Sequence, residues 1–486
     1  MKKRFIGMIL SAALTAALVL APLPVSAANT VDTASVNGSS SSALIFGTDV
    51  IYTAQLPKKP ASDDGKIYLY ELKTYQYSIP DGASPIASAD VSDKVDLTFP
   101  LNHTGGYSRL YNKFVLAVKR NGVLTLVNNA QYITNPEACA TEIKLREPRP
   151  VKLLQEKNVS NISLTGGGAL TNVPSGAQHA VFTNTDPSVV TADPGALRAA
   201  TDPHYVKNNP VVAYMLNADD DAGIEGLIAD MTYHASNGNI QDFVIGNEVN
   251  ERCWNYMDWT DWNTYVRKYV QAFRVCYTAI KSTNPNAMVY TSLDQVWNKN
   301  PQGADSYEYL DGDEFLAKFN DMIVENGNID WNLSIHPYPN PLYWAKFWDP
   351  SSVANGASFK AQVDKNQVIT FENMTVITNL LCTSKYLNRS GMVRDVIIGE
   401  IGMGSNAGVD NQAAAICASY AAFEMNPFVT QYMYLEVDVN GFFPTLTGKA
   451  LEAYNAMGTP EEGKYMSWAL DHIGIKDWKQ VIHGYD

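Results

Sequence analysis

The stretch Phe243-Val-Ile-Gly-Asn-Glu-Val-Asn250 decides the fold that we predict for this chain. Three apolar residues lead into Gly246, and the polar residues Asn247 and Glu248 follow directly, a pattern typical of a buried strand that delivers a carboxylate to its C-terminal end. A second stretch, Val396-Ile-Ile-Gly-Glu-Ile-Gly-Met-Gly-Ser405, repeats the pattern with Glu400. We therefore interpret the chain as organised around two carboxylates at the ends of two buried strands.

Outward from these stretches, short apolar runs alternate with amphipathic segments, and this alternation is typical of βα units. Downstream of residue 236, five strand-helix units can be assigned, including a helix over 265–282. Upstream, residues 177–183 are the candidate first strand and residues 210–216 the candidate second. We predict an α/β fold, a (β/α)8 TIM-type barrel over residues 161–486, with irregular early strands.

Residues 44–141 have a different sequence pattern, in which apolar and polar residues alternate with a period of two. Its clearest signal is the Asn121-Gly122 turn between two apolar runs, which indicates a hairpin. We predict a small all-β, sandwich-like domain here, whose role is either packing or sugar binding. The charged, Pro-punctuated segment 142–160 is the predicted linker to the barrel.

The N-terminus has the features of a secretory signal peptide. Met1-Lys-Lys-Arg4 is followed by an apolar run and by Val25-Ser-Ala27, a small-residue cleavage site. We predict a signal peptide over 1–27, a flexible leader over 28–43 and a secreted, extracellular protein. No later apolar run is long enough to span a bilayer.

The amino-acid composition argues against some classes of binding partner and favours others. The formal net charge of -14 argues against nucleic acid and anionic membranes, because binding phosphate needs clustered Lys and Arg. Tyr and Trp are abundant, at 27 and 9 residues, and flat aromatic faces suit sugar rings. Cysteine and histidine spacings match no metal-binding motif, so we expect no metal or other cofactor. We predict a monomer with a carbohydrate ligand.

Further polar side chains follow other predicted strands, namely Asp294, His336 and Tyr338. Because the C-terminal ends of barrel strands open on one face, we expect these groups to lie with Glu248 and Glu400. Hydrolysis of a glycosidic bond with retention needs two carboxyl groups about 5–5.5 Å apart, one as acid and one as nucleophile. The set therefore indicates a glycoside hydrolase.

The order of these motifs resembles the clan A retaining glycoside hydrolases, over about residues 175–457. Asn247-Glu248 and Glu400 are similar to the ends of strands four and seven in those enzymes, and His336-Pro-Tyr338 is similar to their strand-six motif. Trp254-Asn-Tyr-Met257 and the Ser292-Leu-Asp-x-x-Trp-Asn298 motif resemble more closely a secreted bacterial barrel family grouped as a domain of unknown function.

This resemblance implies a role for each residue. Glu248 would be the acid/base and Glu400 the nucleophile, with Tyr338 hydrogen-bonded to Glu400. Asn247 would donate a hydrogen bond to the 2-hydroxyl of the sugar, and His336 would line the same subsite. The other predicted substrate contacts are Asp294, Trp254, Trp297 and Tyr434.

Alternatives stay open for several of these residues. Glu248 and Glu400 could be structural strand-end residues, and Asp294 could anchor a loop. The early strands are irregular, and Tyr432, Tyr434 and Glu436 stand where clan A enzymes usually place a Trp. The alternative function is a non-catalytic, glycan-binding barrel that has lost hydrolase activity.

Overall fold

The computed structural model of the protein describes residues 29–140, 154–155, 161–163, 179–183, 202, 204, 211, 213–237, 240–299, 307–435 and 443–485. The predicted signal peptide and nearly all of the predicted linker lie outside these residues. In the described part of the chain, no helix is both long and apolar enough to cross a bilayer.

Residues 29–140, here called the N-terminal β region, form two antiparallel-rich sheets. Strands β1, β8, β7, β4 and β5 follow one another in the larger sheet, with β9 also paired to β7, and β2, β3 and β6 form the smaller sheet. The strands are β1 (Asn29–Val31), β2 (Ser40–Phe46), β3 (Asp49–Gln55), β4 (Lys66–Leu72), β5 (Ala87–Asp90), β6 (Lys94–Pro100), β7 (Lys113–Arg120), β8 (Val123–Leu126) and β9 (Gln131–Tyr132).

Alternating burial explains why these segments are strands. In β6, every second side chain is buried, from Val95 through Leu97 to Phe99, so one face of the sheet is apolar and the other meets solvent. The predicted hairpin is present: β7 and β8 pair antiparallel on either side of Asn121 and Gly122, both at positive φ.

The predicted flexible leader differs from the structure over residues 29–43. Strand β1 pairs with β8, helix α1 (Thr33–Asn37) follows, and β2 pairs with β3 along its whole length. The Ser-rich composition suggested a leader, but Ala43 is fully buried in the core of the region. Small polar residues here occupy positions in β-strands rather than in a flexible leader.

The rest of the chain is α/β and contains one sheet of eight parallel strands in its described part. Neighbours in this sheet are neighbours along the chain, from β11 to β17, and β10 pairs with β17 at the other end. The strands are β10 (Leu154–Gln155), β11 (Asn161–Ser163), β12 (His179–Thr183), β13 (Asp242–Ile245), β14 (Met288–Leu293), β15 (Asn332–Ile335), β16 (Val396–Ile401) and β17 (Val429–Tyr434).

Two early predictions need correction. The candidate first strand is the third strand of the sheet in chain order, because β10 and β11 precede it and β10 falls inside the predicted linker. The candidate second strand, 210–216, is not a member of the sheet; Tyr214 makes one isolated bridge to Tyr256 instead. Among the strands that the structure describes in this sheet, β13 and β16 are therefore the fourth and the seventh in chain order, the places that the Glu248 and Glu400 motifs indicated.

Helices alternate with these strands, as the sequence pattern predicted. The longest, α3, begins after Asp261, whose side chain accepts a hydrogen bond from the Thr264 N–H, and it ends before Asn284. The helices are α2 (Asp221–Asn237), α3 (Trp262–Thr283), α4 (Gly312–Glu325), α5 (Gly356–Asp364), α6 (Thr375–Leu381), α7 (Val409–Met425), α8 (Gly448–Ala456) and α9 (Glu462–Ile473).

The N-terminal β region lies against helix α3 through polar contacts that are largely buried. Gln271 Nε2 donates to the Thr74 carbonyl at 3.1 Å, and the Arg274 guanidinium lies 4.6 Å from the centre of the Tyr132 ring. Both α3 side chains are buried. Buried polar groups need such partners, so the contact fixes the region against the helix.

Candidate functional site

The C-terminal ends of four adjacent strands bring the candidate residues together. Glu248 follows β13, Ser292 lies near the end of β14, His336 and Tyr338 follow β15, and Glu400 lies near the end of β16. Since parallel strands of one sheet end at the same edge, residues up to 152 positions apart in the chain become neighbours.

A glycine stands shortly before each carboxylate, and the two glycines are required for different physical reasons. Gly246 has φ +79°, and an added Cβ would lie 2.6 Å from Val249 Cγ1, so only glycine fits this turn. Gly399 has ordinary φ, but an added Cβ would lie 1.9 Å from Ser334 Oγ. The first glycine serves backbone conformation, and the second allows β16 to approach β15 closely.

Glu248 itself has φ +42°, an uncommon conformation for a residue with a side chain, at a cost of about 1–2 kcal/mol. The turn is closed by the Glu251 N–H, which donates to the Glu248 carbonyl at 2.8 Å, and by the Val249 N–H, which donates to the Ser292 carbonyl at 3.0 Å. The Glu248 N–H donates to Ser292 Oγ at 3.2 Å. The surrounding structure therefore holds Glu248 in a strained position.

Glu248, His336 and Glu400 form the centre of the site. One oxygen from each carboxylate and a ring nitrogen of His336 all lie within 4.8 Å of one another. His336 Nδ1 lies 2.8 Å from Glu248 Oε1 and 3.8 Å from Glu400 Oε2. The Tyr338 hydroxyl donates to Glu400 Oε2 at 2.8 Å. The imidazole therefore bridges the two carboxylates, and the phenol holds one of them from the other side.

Burial controls the electrostatics of this centre. The side chains of Glu248 and Glu400 are 15% and 13% exposed, and that of His336 is 1% exposed. Burial raises the pKa of Glu248 above its usual range, against the lowering effect of His336 and with a further raising effect from Glu400. Burial lowers the pKa of His336, but the charges of Glu400 and Glu248 outweigh it and leave that pKa above its ordinary value.

The same three side chains offer the ligand atoms that a divalent cation would need. However, His336 Nδ1 already lies at hydrogen-bond distance from Glu248 Oε1, and Glu400 Oε2 already accepts from Tyr338. Each group has a protein partner in a geometry suited to moving and holding protons.

Asn247 and Asp294 lie beside this centre and are both 6% exposed. The Asn247 carbonyl accepts from Asn255 Nδ2 at 2.7 Å, while its side-chain Oδ1 has no hydrogen-bond partner among the described residues. Asp294 Oδ1 accepts from Asn250 Nδ2 at 2.7 Å and from the Val296 N–H at 2.9 Å. Asp294 thus anchors two loops, the role that the sequence left open for it.

Three aromatic residues predicted as sugar contacts have other surroundings. Trp297 is 5% exposed and faces Gly312, where an added Cβ would lie 3.0 Å from its ring. Tyr434 is 1% exposed, and its hydroxyl accepts from the Met403 N–H at 3.0 Å. Contrary to the prediction, both are core residues, because no ring face is open to a sugar. Trp254 is half-buried against a cluster of Val211, Cys253 and Tyr256.

Ser292 and Phe443 also contact the central residues, although neither was predicted as a site residue. Ser292 is fully buried, and its Oγ lies 3.4 Å from His336 Nε2 while accepting from Glu248. The Phe443 ring stacks on Tyr338 at 4.9 Å between centres. Ser292 stands in the quoted Ser292-Leu-Asp motif, which was a usable signal, whereas nothing in the sequence marks Phe443.

A buried arginine organises the loop after Glu248. Arg252 is fully buried and donates from Nη2 to Asp202 Oδ2 at 2.8 Å, and from Nη1 to the His204 and Tyr307 carbonyls. Its guanidinium also lies 5.4 Å from the centre of the Trp259 ring. Because removing one partner of a buried ion pair is costly, this pair ties together the loops that surround the site. Glu436 lies outside the described residues.

Comparison with solved structures finds distant similarities. A family 39 glycoside hydrolase from the gut symbiont Bacteroides cellulosilyticus WH2 is 12% identical, with a TM-score of 0.38, over 88% of this chain and 80% of that chain. A β-glucuronidase from Ruminococcus gnavus, in complex with uronic deoxynojirimycin, is 10% identical, with a TM-score of 0.31, over 86% of this chain and 67% of that chain.

No curated protein matches the chain. The sequence model of a family of unknown function, DUF5722, matches residues 188–481, which include the whole of the site described above. This match covers more than half of the 486 residues, and the chain therefore belongs to the DUF5722 family of unknown function.

Proposed function

We propose that this protein is a retaining glycoside hydrolase that acts on a poly- or oligosaccharide. The observation that carries the proposal is the pair of strand-end carboxylates, Glu248 and Glu400, whose nearest described oxygens lie within 4.8 Å. Retaining enzymes place these groups about 5–5.5 Å apart, whereas inverting enzymes need about 6.5–9.5 Å to admit a water molecule. The separation therefore favours retention.

In the first step, Glu400 attacks the anomeric carbon as the bond to the leaving oxygen breaks, and Glu248 transfers its proton to that oxygen. The raised pKa of Glu248 favours the protonated form that this step needs. Tyr338 directs the Glu400 carboxylate through its 2.8 Å hydrogen bond. The products of this step are the released sugar and a glycosyl ester on Glu400.

In the second step, Glu248 is a carboxylate and takes a proton from water, which attacks the anomeric carbon and releases Glu400. His336 Nδ1 lies 2.8 Å from Glu248 Oε1, where an imidazole proton stabilises the carboxylate during this half of the cycle. Two displacements at one carbon give net retention of configuration.

We further propose a fold, a cellular location and one additional substrate contact. The eight parallel strands close into a (β/α)8 barrel, which is supported by their order, since β10 pairs with the last strand and β11 with the third. The protein is secreted after signal cleavage, as its first 27 residues suggest. Asn247, which directly precedes Glu248 in the chain, is proposed to donate a hydrogen bond to the 2-hydroxyl of the sugar.

The test is turnover of a broad panel of activated aryl glycosides by wild type and by Glu400→Gln. We expect the variant to lose at least about 10³-fold in kcat/KM, because the nucleophile is gone. Asp230→Asn is a matched control, since it removes a buried carboxyl on helix α2 and should leave turnover unchanged. Glycan binding without turnover by wild type would refute the proposal and favour a non-catalytic, glycan-binding protein.

A further inference from the structure

A lysine side chain is buried where the N-terminal β region meets helix α3. Lys113, the first residue of β7, is 5% exposed, and its Nζ donates to the Thr74 carbonyl at 3.0 Å. An ammonium group has three N–H donors, yet among the described residues no carboxylate forms an ion pair with Lys113. Because lysine is almost never fully buried unless it is paired, the position of this side chain needs a physical account.

Two tyrosine rings are shared by Lys113 and two arginines of helix α3. Lys113 Nζ lies 4.4 Å from the centre of the Tyr77 ring and 6.0 Å from the centre of the Tyr132 ring. On the helix side, the Arg267 guanidinium lies 5.6 Å from the Tyr77 ring and the Arg274 guanidinium 4.6 Å from the Tyr132 ring. Three basic side chains therefore meet at two tyrosine rings across this contact.

The acidic groups near this cluster interact with other bases. Asp219 forms an ion pair with Lys268 at 2.5 Å. Glu325, at the end of α4, has a pKa raised by burial, and the charge acting against that rise is that of Arg267. Neither carboxylate is a partner that would balance a positive charge on Lys113.

The amine of Lys113 changes its charge near neutral pH, whereas its neighbours do not. Burial lowers the pKa of Lys113 to about 7, and the like charges of Arg267 and Arg274 act in the same direction. Burial raises the pKa of the Tyr77 and Tyr132 phenols, so both rings stay neutral while the arginines stay positive.

Hydrogen bonds between the two parts of the chain surround the same amine. The Thr74 carbonyl, which accepts from Lys113, also accepts from Gln271 Nε2 on α3 at 3.1 Å. The Tyr132 N–H donates to the carbonyl of Asn326, just after α4, at 2.9 Å. The Tyr132 amide therefore spans the contact directly, beside the ring that Lys113 faces.

We propose that Lys113 is a pH-sensitive latch between the N-terminal β region and the α/β part of the chain. The neutral amine packs into the contact without adding charge. The protonated amine, which takes its proton from solvent, places a third positive charge beside Arg267 and Arg274 and weakens the contact. This inference is independent of the proposed function, because it concerns the contact with α3 and not the chemistry at Glu248 and Glu400.

The direction of the pH effect follows from proton binding. When the contact opens, Lys113 meets water and regains its ordinary pKa of 10.5, against about 7 when the contact is closed. The open form therefore binds more protons than the closed form between these two values, and the closed form gains stability as pH rises through that window. For one proton, the opening equilibrium constant should fall about tenfold between pH 6 and pH 8.

Hydrogen exchange at the Tyr132 amide measures this opening under conditions where exchange follows the opening equilibrium. Lys113→Met removes the amine, while Gln271 still donates to the Thr74 carbonyl. Comparison of the two proteins at one pH cancels the intrinsic exchange rate, so the ratio of wild-type to variant rates should fall about tenfold from pH 6 to pH 8. Lys119→Met is the matched control, because Lys119 lies on the same strand with its side chain 48% exposed; the corresponding ratio should stay constant.

Three results would overturn the latch. The first is a ratio for Lys113→Met that changes by less than twofold between pH 6 and pH 8, and the second is an equal change for Lys119→Met. The third is an equal change at the buried amides of helix α7, because the pH effect would then reflect unfolding of the whole chain rather than opening of this contact.

A second variant keeps the test decisive if Lys113→Met does not fold. Arg267→Met removes one of the two like charges that lower the pKa of Lys113, and Arg267 is only half-buried. The pH at which the opening constant of the Tyr132 amide begins to fall should therefore move upward from about 7. An unchanged onset in Arg267→Met would refute the role of the lysine charge.

Discussion

Gly399→Ala tests whether strands β15 and β16 must approach closely to place Glu400. The new Cβ would lie 1.9 Å from Ser334 Oγ, 3.3 Å from Ser334 Cβ and 3.4 Å from His336 Nε2. The first contact is far inside van der Waals distance, and both partners are buried, so either the Ser334 hydroxyl must rotate or β16 must move. Overpacking of this kind costs about 1–3 kcal/mol, which lowers the melting temperature by about 2–12 °C in a domain of this size.

We expect kcat/KM to fall by more than the loss of stability alone would cause. A strand shift that relieves the clash displaces Glu400 from its 2.8 Å contact with Tyr338 and its 3.8 Å contact with His336. Misplacement by about 1 Å can cost about 10²-fold in rate. Thermal denaturation and steady-state kinetics with an aryl glycoside measure the two effects separately.

Two controls make this test specific. The swap Gly399→Ala/Ser334→Gly removes the clashing atoms, and Ser334 Oγ has no hydrogen-bond partner among the described residues, so the swap should recover most of both losses. Gly463→Ala adds a Cβ in helix α9 with nothing within 4 Å and should raise stability by about 0.5–1 kcal/mol. A Gly399→Ala variant with wild-type stability and rate, or a swap no better than the single change, would refute the reasoning.

Three further predictions concern single side chains. Tyr338→Phe removes a hydrogen bond to a carboxylate, worth about 1.5–3 kcal/mol, and should lower kcat/KM by about 10–150-fold in steady-state assays; a fall below twofold would contradict the role of the phenol. His336→Asn removes the imidazole that lowers the pKa of Glu248, so the basic limb of the kcat/KM profile should move to higher pH, and movement to lower pH would count against it. Burial raises the pKa of Glu372 from 4.5 to about 7, so wild type loses stability as pH rises between these values. Glu372→Gln should remove this loss, which amounts to up to about 3 kcal/mol of the free energy of unfolding. If that free energy changes equally between pH 5 and pH 8 in the two proteins, this assignment is refuted.

The strand-end carboxylates could be predicted from sequence because burial in a parallel sheet leaves a continuous apolar run that stops where polar chemistry begins. This is why the sequence pattern predicts Glu248 and Glu400, with His336 and Tyr338 between them, as strand-end residues, and why β13 and β16 have the expected places. The hairpin at Asn121 was predictable for a similar reason, since its turn needs residues that tolerate positive φ.

Other features depend on contacts that a single sequence does not encode locally. Trp297 and Tyr434 are aromatic residues of the kind on which sugar rings stack, and only the tertiary fold shows that other residues cover their rings. The leader prediction failed because Ser-rich composition does not reveal that β2 pairs with β3 over seven residues.

The division of roles between Glu248 and Glu400 is tested most directly by trapping the glycosyl-enzyme. The protein would be treated with the 2-deoxy-2-fluoro derivative of whichever aryl glycoside it hydrolyses, digested, and mapped by mass spectrometry. We expect one label per chain, attached to Glu400, and none on a Glu400→Gln variant. A label on Glu248, or on a carboxylate outside this pair, would contradict it.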